Sequence, residues 1–218
     1  MRILVIPDTH APFAHPDALD FLSDLKKEYR PQRVVHIGDL GDGHGWSRHG
    51  REPDAPGQGD EDAQTLHWCK QLYKIFPTVS ACVGNHDTRL AKQAARNGIP
   101  SRLVATIPQL YESPRGWRWK RIHTLDNIHF MHGDGKGGQY PAPNVARELG
   151  GSCAIGHHHA VAGVHWIVNP VKAFFGLSVG CLIDESAAGF DYAKASIRRP
   201  CQGAGVILDG DPRFIPLR

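Results

Sequence analysis

The first third of the chain alternates short apolar runs with longer amphipathic segments. Residues 2–7 form a β-branched-rich apolar run, which predicts a buried strand. From Pro16 to Tyr29 leucines recur at helical spacing, and Pro31 predicts the end of that helix. The same patterns predict strands at 34–38 and 79–83 and helices at 60–76 and 89–97. This alternation favours an α/β sheet with parallel neighbouring strands.

The second half of the chain is richer in strands and poorer in helical segments. Apolar runs predict strands at 128–131, 152–155, 164–168, 173–179, 205–208 and 214–217. We therefore expect a second sheet that is more antiparallel than the first. The length of 218 residues predicts one domain, residues 1–218, large enough to bury a sizeable core.

Composition narrows the class of protein only a little. The net charge of +3 is compatible with a phosphate-bearing substrate but does not by itself indicate nucleic acid. The five cysteines are widely spaced and form no C-x-x-C pair, so we expect reduced thiols and a cytoplasmic location. No apolar stretch reaches the ~18 residues that a membrane span needs. Fourteen histidines are many for this length, and histidine is the commonest metal ligand.

Polar clusters follow five of the predicted strands. They are Asp8-Thr9-His10, Gly38-Asp39-Leu40-Gly41-Asp42, Gly84-Asn85-His86-Asp87, Met131-His132-Gly133 and Gly156-His157-His158-His159. Ligands of α/β sheets gather beyond the carboxyl ends of the strands, so we expect these clusters to converge. Asp, His and Asn without cysteine suit Mn, Fe, Zn or Ni rather than a structural thiolate zinc site. Their number predicts two ions, roughly 3.5–4 Å apart.

These five blocks resemble the motifs of the calcineurin-like metallophosphoesterase superfamily: D-x-H, G-D-x-x-D, G-N-H-[DE], H and G-H-x-H. All five occur in that order and together span most of the chain. The whole chain, including the segments VGCLIDESAAGFDYA and GAGVILDGDPRFIPL, is also similar to small members encoded by bacteriophages. The resemblance implies a β-sandwich of two mixed sheets flanked by helices, in α-β-β-α layers. It also implies a metal-dependent phosphoric ester hydrolase.

The resemblance assigns a role to each matching residue. It implies Asp8, His10 and His159 as ligands of one metal ion, Asn85, His132 and His157 as ligands of the other, and Asp39 as a bridge. His86 would lie beside the substrate phosphate as a general acid or charge stabiliser, oriented by Asp87 or Asp42. Arg89 would either face a phosphate oxygen or be a solvated first-turn arginine.

The choice of an amide at Asn85 has an electrostatic reason. Two divalent ions, with Mn²⁺ as the first choice, combine with two carboxylates and a bridging hydroxide to leave a charge of about +1. That charge attracts an anionic phosphate, and the neutral amide of Asn85 preserves it. A third carboxylate at this position would cancel it.

For the substrate we favour a phosphodiester in a nucleotide or nucleic acid, hydrolysed by a metal-bridging hydroxide. The alternatives are a phosphomonoesterase or protein phosphatase of the same superfamily, and a non-catalytic binding scaffold. Gly43 and His44 stand where the protein-phosphatase branch has arginine and glycine, which counts against that branch. A scaffold typically loses a ligand or the catalytic histidine, whereas this chain keeps all of them. The sequence makes no prediction about the oligomeric state.

Several other features allow more than one interpretation. The Gly- and Pro-rich residues 42–58 are a candidate lid. The segment RGWRWKR, residues 115–121, either contacts nucleic acid through stacking indoles or forms an amphipathic strand whose tryptophans face inward. GDGKGG, residues 133–138, is expected to be a flexible loop rather than a phosphate-binding P-loop. We expect His36 to be a hydrogen-bonded core residue and His158 to be a spare residue between two ligands.

Overall fold

The computed structural model describes residues 1–47, 55–187 and 197–218. Within these residues the strands, in chain order, are β1 (Arg2–Ile6), β2 (Arg33–His36), β3 (Val79–Cys82), β4 (Trp117–Lys120), β5 (Ile122–Leu125), β6 (Ile128–Met131), β7 (Cys153–Ile155), β8 (Ala162–Val168), β9 (Ala173–Val179), β10 (Gly203–Leu208) and β11 (Asp211–Pro216). The α-helices are α1 (Ala18–Tyr29), α2 (Gln58–Ile75), α3 (Arg89–Arg96), α4 (Ile107–Leu110) and α5 (Pro141–Leu149).

The first sheet has six strands in the order β11-β10-β1-β2-β3-β4. Strands β1, β2, β3 and β4 run parallel, while β10 and β11 are added in antiparallel pairing beside β1. The predicted parallel neighbours in the first half of the chain are confirmed. Because the four strands are parallel, their carboxyl ends lie along one edge of the sheet.

The second sheet has five strands in the order β5-β6-β7-β9-β8. Its centre is parallel, β6 with β7 and β7 with β9, and only the outer pairs β5-β6 and β8-β9 are antiparallel. Two of the four strand pairings in the second sheet are antiparallel, against two of five in the first sheet, so the second sheet is more antiparallel than the first only by a narrow margin. The two carboxyl-terminal strands, β10 and β11, also belong to the first sheet and not to the second.

The sequence did not predict helix α5, which makes the parallel centre of the second sheet possible. Pro141 and Pro143 lie in its first turn and weaken the helical signal of the sequence. Proline is tolerated there because the first N–H groups of a helix have no intrahelical partner. Parallel strands need a crossover connection, usually a helix, and α5 lies between the parallel strands β6 and β7.

The core has a layer on each face of the first sheet. Successive side chains of β1 point to opposite faces, so Ile3 and Val5 pack between the two sheets while Leu4 and Ile6 pack beneath α1 and α2. A smaller cluster joins α5 to the outer face of the second sheet. This confirms the α-β-β-α layers that the resemblance implies.

The tryptophans of β4 face the core. The indole N–H of Trp117 donates to the carbonyl of Phe76 over 2.8 Å, and the ring of Trp119 stacks on Tyr111 at 5.8 Å between centroids. Arg118 and Lys120 alternate with them and are exposed. The amphipathic-strand interpretation is thus confirmed for the two indoles. None of the described helices has the length and hydropathy needed to cross a membrane.

Candidate metal centre

The predicted site residues lie just beyond the carboxyl ends of strands, where the backbone turns sharply. His10, Asp39 and His157 have φ values of +48°, +52° and +65°. Non-glycine residues seldom adopt this left-handed conformation, and it is found where surrounding structure enforces it, often at functional sites. The turns place donors from both sheets on one side of the sandwich.

Two glycines give the buried carboxylates room. A Cβ atom on Gly84 would lie 2.1 Å from Oδ1 of Asp39, and one on Gly156 would lie 2.1 Å from Oδ1 of Asp8. No side chain fits at such distances. The motif glycines are therefore required by the close approach of backbone to carboxylate.

One group of donors consists of Asp8, His10 and His159, whose ligand atoms all lie within 4.8 Å of one another. Nε2 of His159 is 3.2 Å from Oδ2 of Asp8. The backbone N–H of His157 donates to the same Oδ2 over 2.8 Å and so holds the carboxylate in place.

A second group consists of Asp39, His132 and His157, with the amide of Asn85 beside it. Nε2 of His132 lies 2.9 Å from Oδ1 of Asn85, 3.1 Å from Oδ2 of Asp39 and 3.2 Å from Nδ1 of His157. Potential ligand atoms from three other loops thus lie within 3.2 Å of Nε2 of His132.

Asp39 lies between the two groups. Its Oδ2 is 3.1 Å from Nε2 of His132 on one side and 3.7 Å from Nε2 of His10 on the other. His10, Asp39 and His86 form a third group, whose ligand atoms also lie within 4.8 Å of one another. The side chain of Asp39 is therefore placed to reach two neighbouring cation positions.

The chemistry of the donor set fits divalent cations. Asp8 and Asp39 are 0% and 1% exposed, yet burial is costly for a carboxylate without positive partners. Burial lowers the pKa of His132, but the charges of Asp39 and Asp8 outweigh burial and raise it to about 10. Within the described residues, Oδ1 of Asp8 and Nδ1 of His132 are buried without a hydrogen bond. The buried carboxylates favour a bound cation, and a set of nitrogen and oxygen donors suits Mn, Fe, Zn or Ni.

His86 is held at the edge of these groups by Asp42. Its Nδ1 lies 2.8 Å from the carbonyl oxygen of Asp42 and 3.1 Å from Oδ1, and the same Oδ1 is 2.7 Å from Nδ1 of His10. Burial alone would raise the pKa of Asp42, but the hydrogen bonds to His10 and His86 hold it well below its usual range. Asp42 therefore connects a candidate ligand with the candidate acid.

Arg89 closes the other side of the His86 ring. Its Nη2 is 2.9 Å from Nε2 of His86, and its Nη1 donates to the carbonyl of Asp42 over 2.9 Å. Arginine has no acceptor, so Nε2 of His86 accepts this bond and its proton resides on Nδ1. Burial lowers the pKa of His86, but Asp39 and Asp42 raise it above its ordinary value.

Asp87 has a different environment from Asp42. It accepts bonds from the backbone N–H groups of Gly84, Asp39 and Leu40 over 2.7, 3.0 and 3.1 Å, and from the hydroxyl of Tyr111 over 2.9 Å. Burial raises the pKa of Asp87 to about 6. None of the hydrogen bonds or ion pairs among the described residues joins it to His86. The carboxylate beside His86 is that of Asp42, whereas the sequence alone allows either Asp42 or Asp87.

Sequence reasoning missed two residues near the site, Tyr111 and Glu61. Tyr111 anchors Asp87, and no motif or spacing marks it. Glu61 is buried, and its carboxylate accepts N–H bonds from His44 over 2.7 Å and Gly45 over 3.2 Å. In the sequence Glu61 was only an acid in the first turn of a predicted helix. In the fold it fixes the single turn that carries Trp46.

The two histidines set apart in the sequence behave as expected. His36 is buried, its Nδ1 accepts from the N–H of Gly38 over 3.2 Å, and its Nε2 is 3.3 Å from the hydroxyl of Thr9. Burial lowers its pKa to about 4, so the ring is neutral. His158 belongs to none of the three donor groups found among the described residues.

The predicted loops are only partly described. Residues 133–138 contain turns, and α5 begins only at Pro141, so the helix does not start within the glycine-rich segment as it does in a P-loop. The candidate lid at 42–58 includes residues 48–54, and the phage-like segment VGCLIDESAAGFDYA includes residues 188–193. Both of these stretches lie outside the described residues.

Comparison with known proteins identifies the family. A curated relative, the Gene 54 protein of Mycobacterium phage D29, is 25% identical over 245 residues, covering 99% of this chain and 93% of the relative. A metallophosphoesterase from Sphaerobacter thermophilus shares the fold with a TM-score of 0.51 and 14% identity, over 100% of this chain and 88% of the other. The E. coli phosphoesterase Yfce has a TM-score of 0.50 and 14% identity, over 96% of this chain and 89% of the other.

The family model described as calcineurin-like phosphoesterase matches residues 1–167. That range contains all seven predicted metal ligands and the His86 region, and it covers more than half of the chain. The chain belongs to the calcineurin-like phosphoesterase family, whose activity is the metal-dependent hydrolysis of phosphate esters.

Proposed function

We propose that this protein is a two-metal phosphodiesterase that acts on a nucleotide or nucleic acid. The observation that carries the proposal is the position of Asp39 between two groups of nitrogen and oxygen donors, with His86 at their edge. This arrangement supports a site in which two cations and an acid would act within one cluster.

The proposed ligands divide as the resemblance implies. Asp8, His10 and His159 would hold one divalent ion, Asn85, His132 and His157 the other, and Asp39 both. When bound, two such ions supply an activated water at neutral pH and stabilise charge on the phosphoryl oxygens. The metal we favour is Mn²⁺, with Fe, Zn or Ni as alternatives.

His86 is the proposed general acid. Its Nδ1 is fixed by Asp42, so Nε2 is the nitrogen free to give a proton to the departing oxygen once Arg89 has turned toward the substrate. Asp42, rather than Asp87, is the proposed orienting carboxylate. We assign Asp87 the role of holding the loops of Asp39 and Gly84 together.

Arg89 is the proposed phosphate ligand. Its side chain is 20% exposed and lies at the first turn of α3, where a helix N-terminus adds positive potential. Among the described residues it is the guanidinium that contacts His86. One guanidinium fits the two non-bridging oxygens and single charge of a phosphodiester.

A paired substrate comparison tests the choice of ester. With Mn²⁺ supplied, bis(4-nitrophenyl) phosphate should be cleaved with a higher kcat/KM than 4-nitrophenyl phosphate. Faster turnover of the monoester would contradict the phosphodiesterase proposal.

The variant His86→Ala tests the enzyme against the scaffold alternative. We expect it to lose ~10²- to 10⁴-fold in turnover, the range for a general acid. Equal residual activity of wild type and variant with Mn²⁺, Ni²⁺ and Zn²⁺ would favour a binding scaffold.

A further inference from the structure

A groove crosses the amino-terminal end of the first sheet, at the edge opposite the donor groups. It is lined by Lys26, residues 31–34 and 75–80, Gly116 and Arg118, and we call it the amino-edge groove. Its volume is about 480 Å³. Ligand sites usually measure 300–1,000 Å³, so the groove is large enough to hold part of a ligand, and none of the proposed metal ligands lines it.

The ionisable side chains that line the amino-edge groove are all cations. Lys26, Arg33 and Arg118 are exposed, and the described lining contains no aspartate or glutamate. Nζ of Lys26 donates to the carbonyl of Ile75 over 2.6 Å, and Nη1 of Arg33 donates to the carbonyl of Gln32 over 3.1 Å. None of the three cations forms an ion pair within the described ranges. Each therefore keeps N–H groups that can bind an anion.

The register of the sheet puts two of these cations and a hydroxyl on one face. Ser80 pairs with Val35 of β2 on one side and with Arg118 of β4 on the other, and Arg33 lies two residues before Val35. Paired residues, and residues two apart in a strand, point to the same face. The half-buried hydroxyl of Ser80 has no hydrogen-bond partner in the described part of the chain. Guanidinium and hydroxyl donors side by side suit the oxygen atoms of a phosphate.

Strand β4 extends the positive charge from the groove toward the donor groups. Lys120 is exposed and lies two residues after Arg118, so the two residues are about 6.6 Å apart on one face. The carbonyl of Lys120 accepts from the N–H of Val83 over 3.0 Å, next to the loop that carries Asn85. Ser80 is five residues before Asn85, and five residues span at most about 18 Å. One extended ligand can therefore reach both places.

A chain of phosphates fits this arrangement better than a single small anion. Cations spread over such a distance can pair with successive phosphates, which follow one another every ~3.4 Å along each strand of a duplex. Phe76 is the aromatic residue of the groove lining, and at 1% exposure its ring is not available for base stacking. The groove can therefore contact the phosphate backbone, which carries no sequence information directly.

Resting on the proposed function, we propose that the amino-edge groove and Lys120 bind the phosphate backbone of a nucleic-acid strand whose reacting diester lies at the donor groups. The substrate would then be a polynucleotide chain rather than a free nucleotide. Binding through the groove would be independent of base sequence.

The test measures binding by fluorescence anisotropy, using Mn²⁺-loaded His86→Ala protein to slow cleavage of the probe. Electrophoresis verifies that the probe stays intact. A labelled single-stranded DNA of 12 nucleotides should bind at least ~10-fold more tightly than a labelled dinucleotide, which is too short to reach both the groove and the donors. The slope of log K against log salt concentration should be about −2.8 or steeper, at about −0.7 for each of the four cations.

Matched double variants in the same His86→Ala background isolate the contribution of the groove. Arg33→Gln with Arg118→Gln should make the slope shallower by about 1.4, because two phosphate contacts are lost. Arg147→Gln with Lys172→Gln removes the same charge from exposed positions beside the second sheet and should leave the slope unchanged. Thermal unfolding verifies that both double variants keep the fold.

Three results would overturn the inference. They are equal affinity for the 12-mer and the dinucleotide, an unchanged slope in the groove variant, and an equal loss in the control variant. Poly-L-glutamate at the same concentration of charge should displace the labelled 12-mer less well than the unlabelled 12-mer does. Equal displacement would assign the groove to acidic protein segments and would also overturn the inference.

Failure of this inference differs from failure of the proposed function. Binding of the 12-mer through the groove cations, with no hydrolysis of any ester by the metal-loaded wild type, would refute the enzyme and keep the groove. Hydrolysis of phosphodiesters, with the groove variant binding the 12-mer like its parent, would refute the groove and keep the enzyme.

Discussion

Replacing Asp42 with asparagine tests how the site couples a metal ligand to the acid. In the native protein Oδ1 of Asp42 contacts Nδ1 of both His10 and His86, at 2.7 and 3.1 Å, and Oδ2 lies 3.3 Å from Nη1 of Arg89. All three neighbours are donors. An asparagine has one oxygen, so it can satisfy the two histidines or the arginine, and its NH₂ group then faces a donor.

The size of the effect follows from those contacts. Loss of the carboxylate behind His10 should weaken metal affinity by ~10- to 100-fold, as found when partners of ligand histidines are removed. Loss of the carboxylate behind His86 should lower the general-acid contribution, which is ~10²- to 10⁴-fold. At saturating Mn²⁺ only the second effect remains, so we expect kcat to fall by at least ~10²-fold.

The assay compares leaving groups at saturating metal. If Asp42 acts through His86, its removal should slow hydrolysis of a phenyl ester more than that of a 4-nitrophenyl ester, because the better leaving group needs less protonation. Asp24→Asn, a change at an exposed residue of α1, is the control for general effects of charge. Equal losses on both esters, or a kcat within threefold of wild type, would refute the coupling.

Three further changes test other parts of the site. Asn85→Asp adds a charge that should cancel the attraction for phosphate, so kcat/KM for an anionic ester should fall at least ~10-fold while metal content is kept; a rise in kcat/KM would contradict this. Gly156→Ala forces a Cβ atom to within 2.1 Å of Oδ1 of Asp8, and we expect urea unfolding to show a loss of at least ~2 kcal/mol. Asp87→Asn leaves at least one of four donors facing an amide NH₂, which should cost about 1–3 kcal/mol in the same experiment; native stability would contradict its proposed role.

The sequence predicted the parallel strands β1, β2 and β3 because each contains an apolar run and the helices that connect them have one apolar face. Strand β1 shows why: it is buried on both sides, so its composition alone marks it. The sequence did not predict helix α5, because prolines such as Pro141 and Pro143 occur both in loops and in first helical turns. The pairing of β10 with β1 depends on contacts about 200 residues apart, which no local pattern encodes.

The candidate ligands were accessible from sequence because they follow strands whose ends must share an edge. The residues that hydrogen-bond to those ligands could not be predicted from the sequence. The sequence offered both Asp42 and Asp87 as the carboxylate beside His86, and only the folded structure, with Oδ1 of Asp42 3.1 Å from Nδ1 of His86, decides between them. Glu61 and Tyr111 act through hydrogen bonds to residues far away in the sequence, and such bonds leave no periodic or spacing signal.

The most direct measurement is the number and position of metal ions in crystals soaked with Mn²⁺, located by anomalous diffraction and counted by elemental analysis. We expect two ions for each chain, both in contact with Asp39, and at most one in the variant Asp39→Asn. An empty cluster, or a single ion in the wild-type protein, would contradict the assignment of a dinuclear phosphoesterase centre.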